Sequence, residues 1–214
     1  MTMLDAMPSS PLSHGATLAS APPAPSPFPS DAALRLERAS WNELERTFQR
    51  GTMPDLHGLV GWEFRGINRL PLQFLPVAQL AGIKKFVKGF FRAEDGTVMG
   101  YNCPVVNNVL DGRWHTKPSD TAPKRFGFYE VTPVDPTARD NEYLHAVLLD
   151  YGKGDNPIYD PSRHLRDYLV QVDPANPDLL LGKAYYAIGP ARLGALNYFI
   201  LERYRPGVTE DPRR

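Results

Sequence analysis

The chain has 214 residues, with 24 Lys and Arg against 24 Asp and Glu, so its formal net charge is zero. That balance excludes a protein held on nucleic acid by a general basic excess, because phosphate neutralisation needs one, and it equally excludes an acidic solvating chain. A single cysteine, Cys103, excludes an internal disulfide framework.

No apolar run approaches the roughly 20 residues that span a bilayer as a helix. Met1 to Ser10 has neither a basic region nor a continuous apolar stretch of the secretory kind, so a cytoplasmic location is expected. Residues 8–30 are dominated by Pro, Ser and Ala without a period. Such a stretch buries too little apolar surface to offset its ordering entropy, so residues 1–30 are read as a disordered tail. A proline-rich ligand for an aromatic groove is the alternative use of this segment.

A single domain is expected over 31–205. Ala32 to Arg50 has helix formers with Leu34, Trp41, Leu44 and Phe48 near helical spacing. Ser40 followed by Glu43 fits a capping box, and Gly51 and Pro54 end the helix. From Val60 the pattern changes: Val60, Trp62 and Phe64 alternate with Gly61, Glu63 and Arg65, the period of a half-buried strand. Pro71 and Pro76 then interrupt the chain. Val77 to Arg92 reads as an amphipathic helix, with Leu80, Ile83, Phe86, Val87, Phe90 and Phe91 on one arc and Lys84, Lys85, Lys88 and Arg92 opposite.

Strands follow at Thr97–Val106, Arg125–Thr132, Glu142–Tyr151, Leu165–Val172, Leu179–Ile188 and Leu196–Tyr204, separated by Asn, Asp, Gly and Pro turns. Short connections imply hairpins and antiparallel pairing. The expected class is mainly β: an antiparallel barrel or strongly curved sheet, with an N-terminal helix and one amphipathic helix at its mouth. Residues 206–214 are charged and expected to fray.

The run Gly61-Trp62-Glu63-Phe64-Arg65-Gly66 at the start and Tyr198-Phe199-Ile200-Leu201-Glu202-Arg203 at the end resemble the calycin, or lipocalin-like, barrel. There is also a distant similarity to bacterial barrel proteins named for a GxWxG motif. The resemblance implies that Trp62 packs under the barrel with Arg203 lying across it. The glycine spacing departs from the pattern: Gly61 directly precedes Trp62, and Gly66 follows four residues on. Fold likeness carries no ligand with it.

The expected function is to hold a small apolar ligand, a fatty acid or other lipid-like molecule, in a barrel cavity, with no cofactor and no nucleic acid. Trp62, Phe64, Asn102, His145, Lys183, Tyr185 and Arg203 are its candidate contacts. For Lys183 and Tyr185 two faces compete: Leu179, Leu181, Lys183, Tyr185 and Ala187 point inward, or Leu180, Gly182, Ala184, Tyr186 and Ile188 do. An acid–base enzyme, an isomerase or hydrolase, using His145, Lys183 and Tyr185 in the same cavity is the second reading. The third is an interaction module in which the loop Leu70–Leu75, or the helix with Lys84, Lys85, Lys88 and Arg92, meets a protein or an anionic membrane. No metal is expected: the histidines lack ligand spacing, and Cys103 has nothing nearby to activate it. Two or more titratable groups converging in the cavity would favour an enzyme over a carrier.

Overall fold

The computed structural model describes residues 26–70, 84–107, 109–188 and 191–213. Ser30 starts the first helix, α1 (Asp31–Arg38): its hydroxyl accepts the Ala33 amide at 3.2 Å. Ala39 turns extended, and α2 (Trp41–Arg50) begins behind Ser40 in the expected capping box. The Glu43 amide donates to Ser40 Oγ at 3.3 Å, and the Ser40 amide donates back to Glu43 at 2.7 Å. The N-terminal helical region is thus two helices. A single turn, α3 (Leu56–Leu59), then leads into the sheet.

Eight strands form a closed antiparallel barrel in chain order. They are β1 (Trp62–Arg69), β2 (Lys85–Arg92), β3 (Val98–Pro104), β4 (Phe126–Pro133), β5 (Val147–Asp150), β6 (Leu165–Asp173), β7 (Asn176–Ile188) and β8 (Ala191–Pro206). β1 closes the ring against β8, with Gly66 opposite Leu201. The mainly β barrel expected from the turns is present, and it is compatible with a lipocalin-like architecture. Among the described residues no helix is long and apolar enough to cross a membrane.

Two expected elements are corrected. The stretch 142–151 contributes only Val147–Asp150 as strand, because the chain turns at Tyr143–Ala146, where the Ala146 amide donates to the Tyr143 carbonyl at 3.0 Å. The larger correction is the helix at 77–92. Its second half is β2, paired with β1 on one side and β3 on the other, and 77–83 lies outside the described residues. β2 is apolar on both faces, and such a run satisfies helical and strand periodicity at once. Its composition decides for the strand: Phe86, Val87, Phe90 and Phe91 favour a pleated, buried surface, and Gly89 disfavours a helix interior. The basic arc therefore does not exist as a surface. Lys84 pairs with Glu37 at 2.9 Å, Lys88 points into the barrel, and Arg92 sits at the far end of the strand.

Alternation sorts the side chains into two cores. Phe64, Phe90, Tyr129, Leu169, Leu180 and Leu201 belong to the interior cluster. Leu44 and Phe48 of α2 cover an outer cluster that includes Tyr168, Val170 and Leu181. Inside, rings fold over glycines on neighbouring strands. A Cβ on Gly100 would fall 2.2 Å from the Tyr129 ring, which is itself fully buried. Below the barrel, residues 207–213 hold the end where β1 starts: the Gly207 amide donates to the Gly61 carbonyl at 2.8 Å, and the Arg92 amide to Thr209 at 3.0 Å.

The Gly100 contact sets an expectation. Gly100→Ala overpacks the lumen and should lower unfolding free energy by about 1–3 kcal/mol in urea denaturation, with an unchanged m-value.

Candidate functional site

The barrel is packed at one end and hollow at the other. At the packed end the Arg203 guanidinium lies over the Trp62 ring, 4.6 Å from its centroid, and donates to the Gly58 carbonyl. This is the pairing that the calycin resemblance implies. Phe64 is fully buried above it, edge-on to Phe90 at 5.5 Å. Trp62, Phe64 and Arg203 thus stand at the end opposite the opening. Toward the other end lies a cavity of about 470 Å³. Phe86, Pro104, Phe126, Leu165, Ala184 and Phe199 form most of its apolar wall.

The floor of the cavity is polar. Lys88 from β2 and Asp167 from β6 meet at 3.3 Å, both almost wholly buried. In a ring of eight strands β2 and β6 lie opposite one another, so this pair crosses the lumen. Lys88 also donates to Asn102 Oδ1 at 3.1 Å and, through a short contact, to the Tyr151 hydroxyl. The Tyr151 hydroxyl donates to Asp167 Oδ2 at 3.1 Å, and Asn102 Nδ2 donates to the Gly127 carbonyl at 2.9 Å and to Tyr151 at 3.4 Å. The rings of Tyr129, Tyr151 and Phe199 stand 4.5, 5.0 and 5.3 Å from the ammonium, adding cation–π attraction.

Each floor position follows from the sheet. Lys88 sits between Phe86 and Phe90 on the inward row of β2, and Asp167 between Leu165 and Leu169 on that of β6. Tyr151 follows β5 at the start of a short 3-10 turn, and Asn102 lies near the mouth end of β3. Burial pulls the Lys88 ammonium down, against the Asp167 charge. Burial pushes the Asp167 carboxyl up, against Lys88 and Tyr151. Burial and then the Asp167 charge hold the Tyr151 phenol well above its ordinary range. The floor therefore contains an ion pair kept together because neither charge tolerates isolation there.

Of the seven sequence-predicted ligand contacts, Asn102 alone is among the described residues that line this cavity. Lys183 and Tyr185 are on the outward row of β7: Ala184 faces the cavity, as Lys88 and Asp167 do from their strands. Lys183 does not reach for water. It is buried under α2, 2.7 Å from Glu45 and 2.8 Å from the Tyr143 hydroxyl, which in turn lies 2.5 Å from the Tyr185 hydroxyl. His145 precedes β5, and its Nε2 is 3.1 Å from the Phe48 carbonyl, outside the barrel. Lys85 contributes to the edge of the cavity, but its ammonium is turned away, 3.7 Å above the Trp114 ring and hydrogen-bonded to loop carbonyls. Burial pushes the Cys103 thiol up to about 12, which keeps it protonated and inert.

Lys88, Tyr151 and Asp167 are the residues that sequence reasoning missed as a group. Asp167 had a readable signal, a carboxylate between Leu165 and Leu169, and Lys88 became legible only once β2 was known to be a strand. Among the described residues no group of His, Cys, Asp and Glu has metal-binding geometry. No protein-family model, curated protein or solved structure matches the chain.

Two outcomes test this electrostatic picture. Lys88→Met alone leaves Asp167 buried without its partner and should cost about 3–5 kcal/mol of stability, whereas the double variant Lys88→Met, Asp167→Leu should recover most of it in urea denaturation. Outside the barrel, burial raises the Glu45 carboxyl, but hydrogen bonds from Gln49, Lys183 and Tyr198 and the Lys183 charge outweigh it and hold the group at about 2. A carboxyl lowered from its ordinary 4.5 stabilises the fold above that value and loses this contribution as pH falls toward 2. Thermal melts should show Glu45→Gln less stable than the parent near neutral pH, with the gap closing across that acid window.

Proposed function

We propose that the barrel is a container for one small, predominantly apolar, lipid-like molecule with a polar group. The molecule enters at the hollow end, its apolar part against Phe86, Phe126, Leu165 and Phe199 and its polar part on the Lys88–Asp167 floor. The observation that carries this reading is the form of the cavity: about 470 Å³, apolar on its wall and hydrogen-bonding at one end. Ligand sites are commonly clefts of about 300–1,000 Å³ with a few placed polar groups, and small barrels hold one ligand where their side chains leave room. The likeness to calycins belongs to this reading.

A second reading has its own observation. Lys88, Tyr151 and Asp167 converge in one space, which meets the criterion set above for an enzyme over a carrier; the container leads because the three groups are engaged with one another. Asp167, with its carboxyl pushed up by burial, is then the proton carrier, and Lys88 and Tyr151 hold the charge that develops beside it. The sequence-based candidates His145, Lys183 and Tyr185 have no part in it, since all three lie outside the lumen.

The container reading predicts that Nile red, a neutral environment-sensitive dye, gains fluorescence with the protein and that lipid-like molecules displace it. Ala184→Phe, which extends a ring from β7 into the cavity, should weaken dye binding by about tenfold or more while the melting temperature stays near the parent value. Equal binding by this variant would remove the lumen as the site. Chromatography of the bound fraction separates the two readings: a molecule recovered unchanged after incubation supports a container, and progressive conversion to an isomer or hydrolysis product supports catalysis.

A further inference from the structure

Resting on the container reading, we propose that the hollow end of the barrel docks on an anionic lipid bilayer, with which the lumen exchanges its lipid-like molecule. The docking face has an apolar part. A turn at Pro157–Asp160, closed by the Asp160 amide donating to the Pro157 carbonyl at 2.9 Å, presents Ile158 and Tyr159 at its corner, 87% and 86% exposed. Turn corners ordinarily carry Gly, Asn, Asp, Ser or Pro, and the fold buries neither of these side chains. Both ends of the turn are tied to the barrel: Asn156 clamps the two backbone groups of Phe128 at 2.9 and 2.7 Å, and Ser162 lines the cavity. Phe126, on the same side of the opening, lines the cavity and is also 42% exposed, so one ring joins the outer surface to the lumen.

The second part is charge. The chain is neutral overall, but its charge is divided along the barrel axis. Connections at the packed end hold exposed Asp55, Glu94, Asp95, Asp135, Glu142 and Glu210 against Arg92 and Arg139. At the hollow end the β3–β4 connection holds exposed Arg113, Lys117 and Lys124, with Arg125 beside them, against Asp111 and an Asp120 engaged by Arg205 at 2.9 Å. Two of the lysines are placed at the rim by the backbone. The Lys117 amide donates to the carbonyl of cavity-lining Pro104, and the Lys124 amide to the Lys117 carbonyl, each at 2.8 Å. Anionic headgroups attract such an end and repel the opposite one, so the field turns the mouth toward the bilayer. An aliphatic chain and a phenol near lysines match a headgroup boundary, with apolar parts among acyl chains and charges among phosphates. None of these residues belongs to the basic arc expected from the sequence.

The experiment sediments the full chain with vesicles of phosphatidylcholine containing phosphatidylglycerol, and with phosphatidylcholine alone. Binding is expected to the anionic vesicles and to fall as salt rises. Ile158→Ser with Tyr159→Ser, and separately Lys117→Glu with Lys124→Glu, should each weaken it by about tenfold or more. Melting temperature and Nile red affinity in solution should stay at parent values, because these side chains are exposed. Glu210→Lys adds positive charge at the packed end and should change vesicle binding by no more than about twofold. Binding that follows net charge wherever the charge is placed would overturn the docking face, and so would binding that survives both mouth variants. Failure to sediment, with Nile red still bound, would overturn the docking face and leave the container, as would dimers that Ile158→Ser with Tyr159→Ser abolishes. A chain that binds neither vesicles nor Nile red would remove the container reading too.

Discussion

A lysine charge inside a barrel must be answered from inside the barrel, and here the answer comes from the opposite wall. Lys88 and Asp167 stand on strands half a ring apart, so their attraction acts across the lumen rather than along it. Among the described residues, rings and branched aliphatic side chains fill the interior below that level, and the cavity lies above it. The pair thus sets the depth of the cavity. It also sets its chemistry, because the groups that satisfy Lys88 are the groups a bound molecule would meet. Buried ion pairs are poor sources of net stability, and a well-packed apolar bridge would close a barrel at least as firmly. A polar floor in that position is therefore better understood as a feature of the site than of the scaffold.

The same chain contains a second buried cation, handled differently. Lys183 lies between β7 and α2, where Glu45, Tyr143 and Tyr198 surround it and α2 covers it. This network fastens a helix to the outer wall and opens onto no cavity. The two buried lysines thus have opposite addresses, one lumenal and one under a helix. The difference is set by the parity of the strand: Ala184 and Gly182 give β7 a thin inward face, and the larger Lys183 and Tyr185 take the outward one.

Much of the fold was legible because its signals are local. The capping box at Ser40, the alternation at Trp62–Phe64 and the turn residues between the later strands each depend on a few neighbouring residues. The stacking of Arg203 on Trp62 followed from a likeness of the first and last strands. The site was largely illegible for two physical reasons. β2 is buried on both faces, so its periodicity does not distinguish strand from helix, and the misreading moved Lys88 from the lumen to a surface. The second reason is covering by α2. Without it, a lysine on a strand faces either ligand or water; with it, a third place exists, and Lys183 occupies that. Asp167 was the missed opportunity, since a carboxylate between Leu165 and Leu169 is the same kind of interruption that drew attention to Lys183.

The ring closes only where β1 meets β8, the first strand against the last. On the ribosome this leaves one edge of β1 without a partner until β8 has emerged, and an open strand edge is a template for pairing with other chains. Closure between distant segments is also slow, because the chain entropy must be overcome before the contacts form. The short helices ahead of β1 and the strap behind β8 come to rest on the finished wall. A nascent chain of this design keeps that edge exposed through seven strands, and it gains protection in one step when β8 arrives.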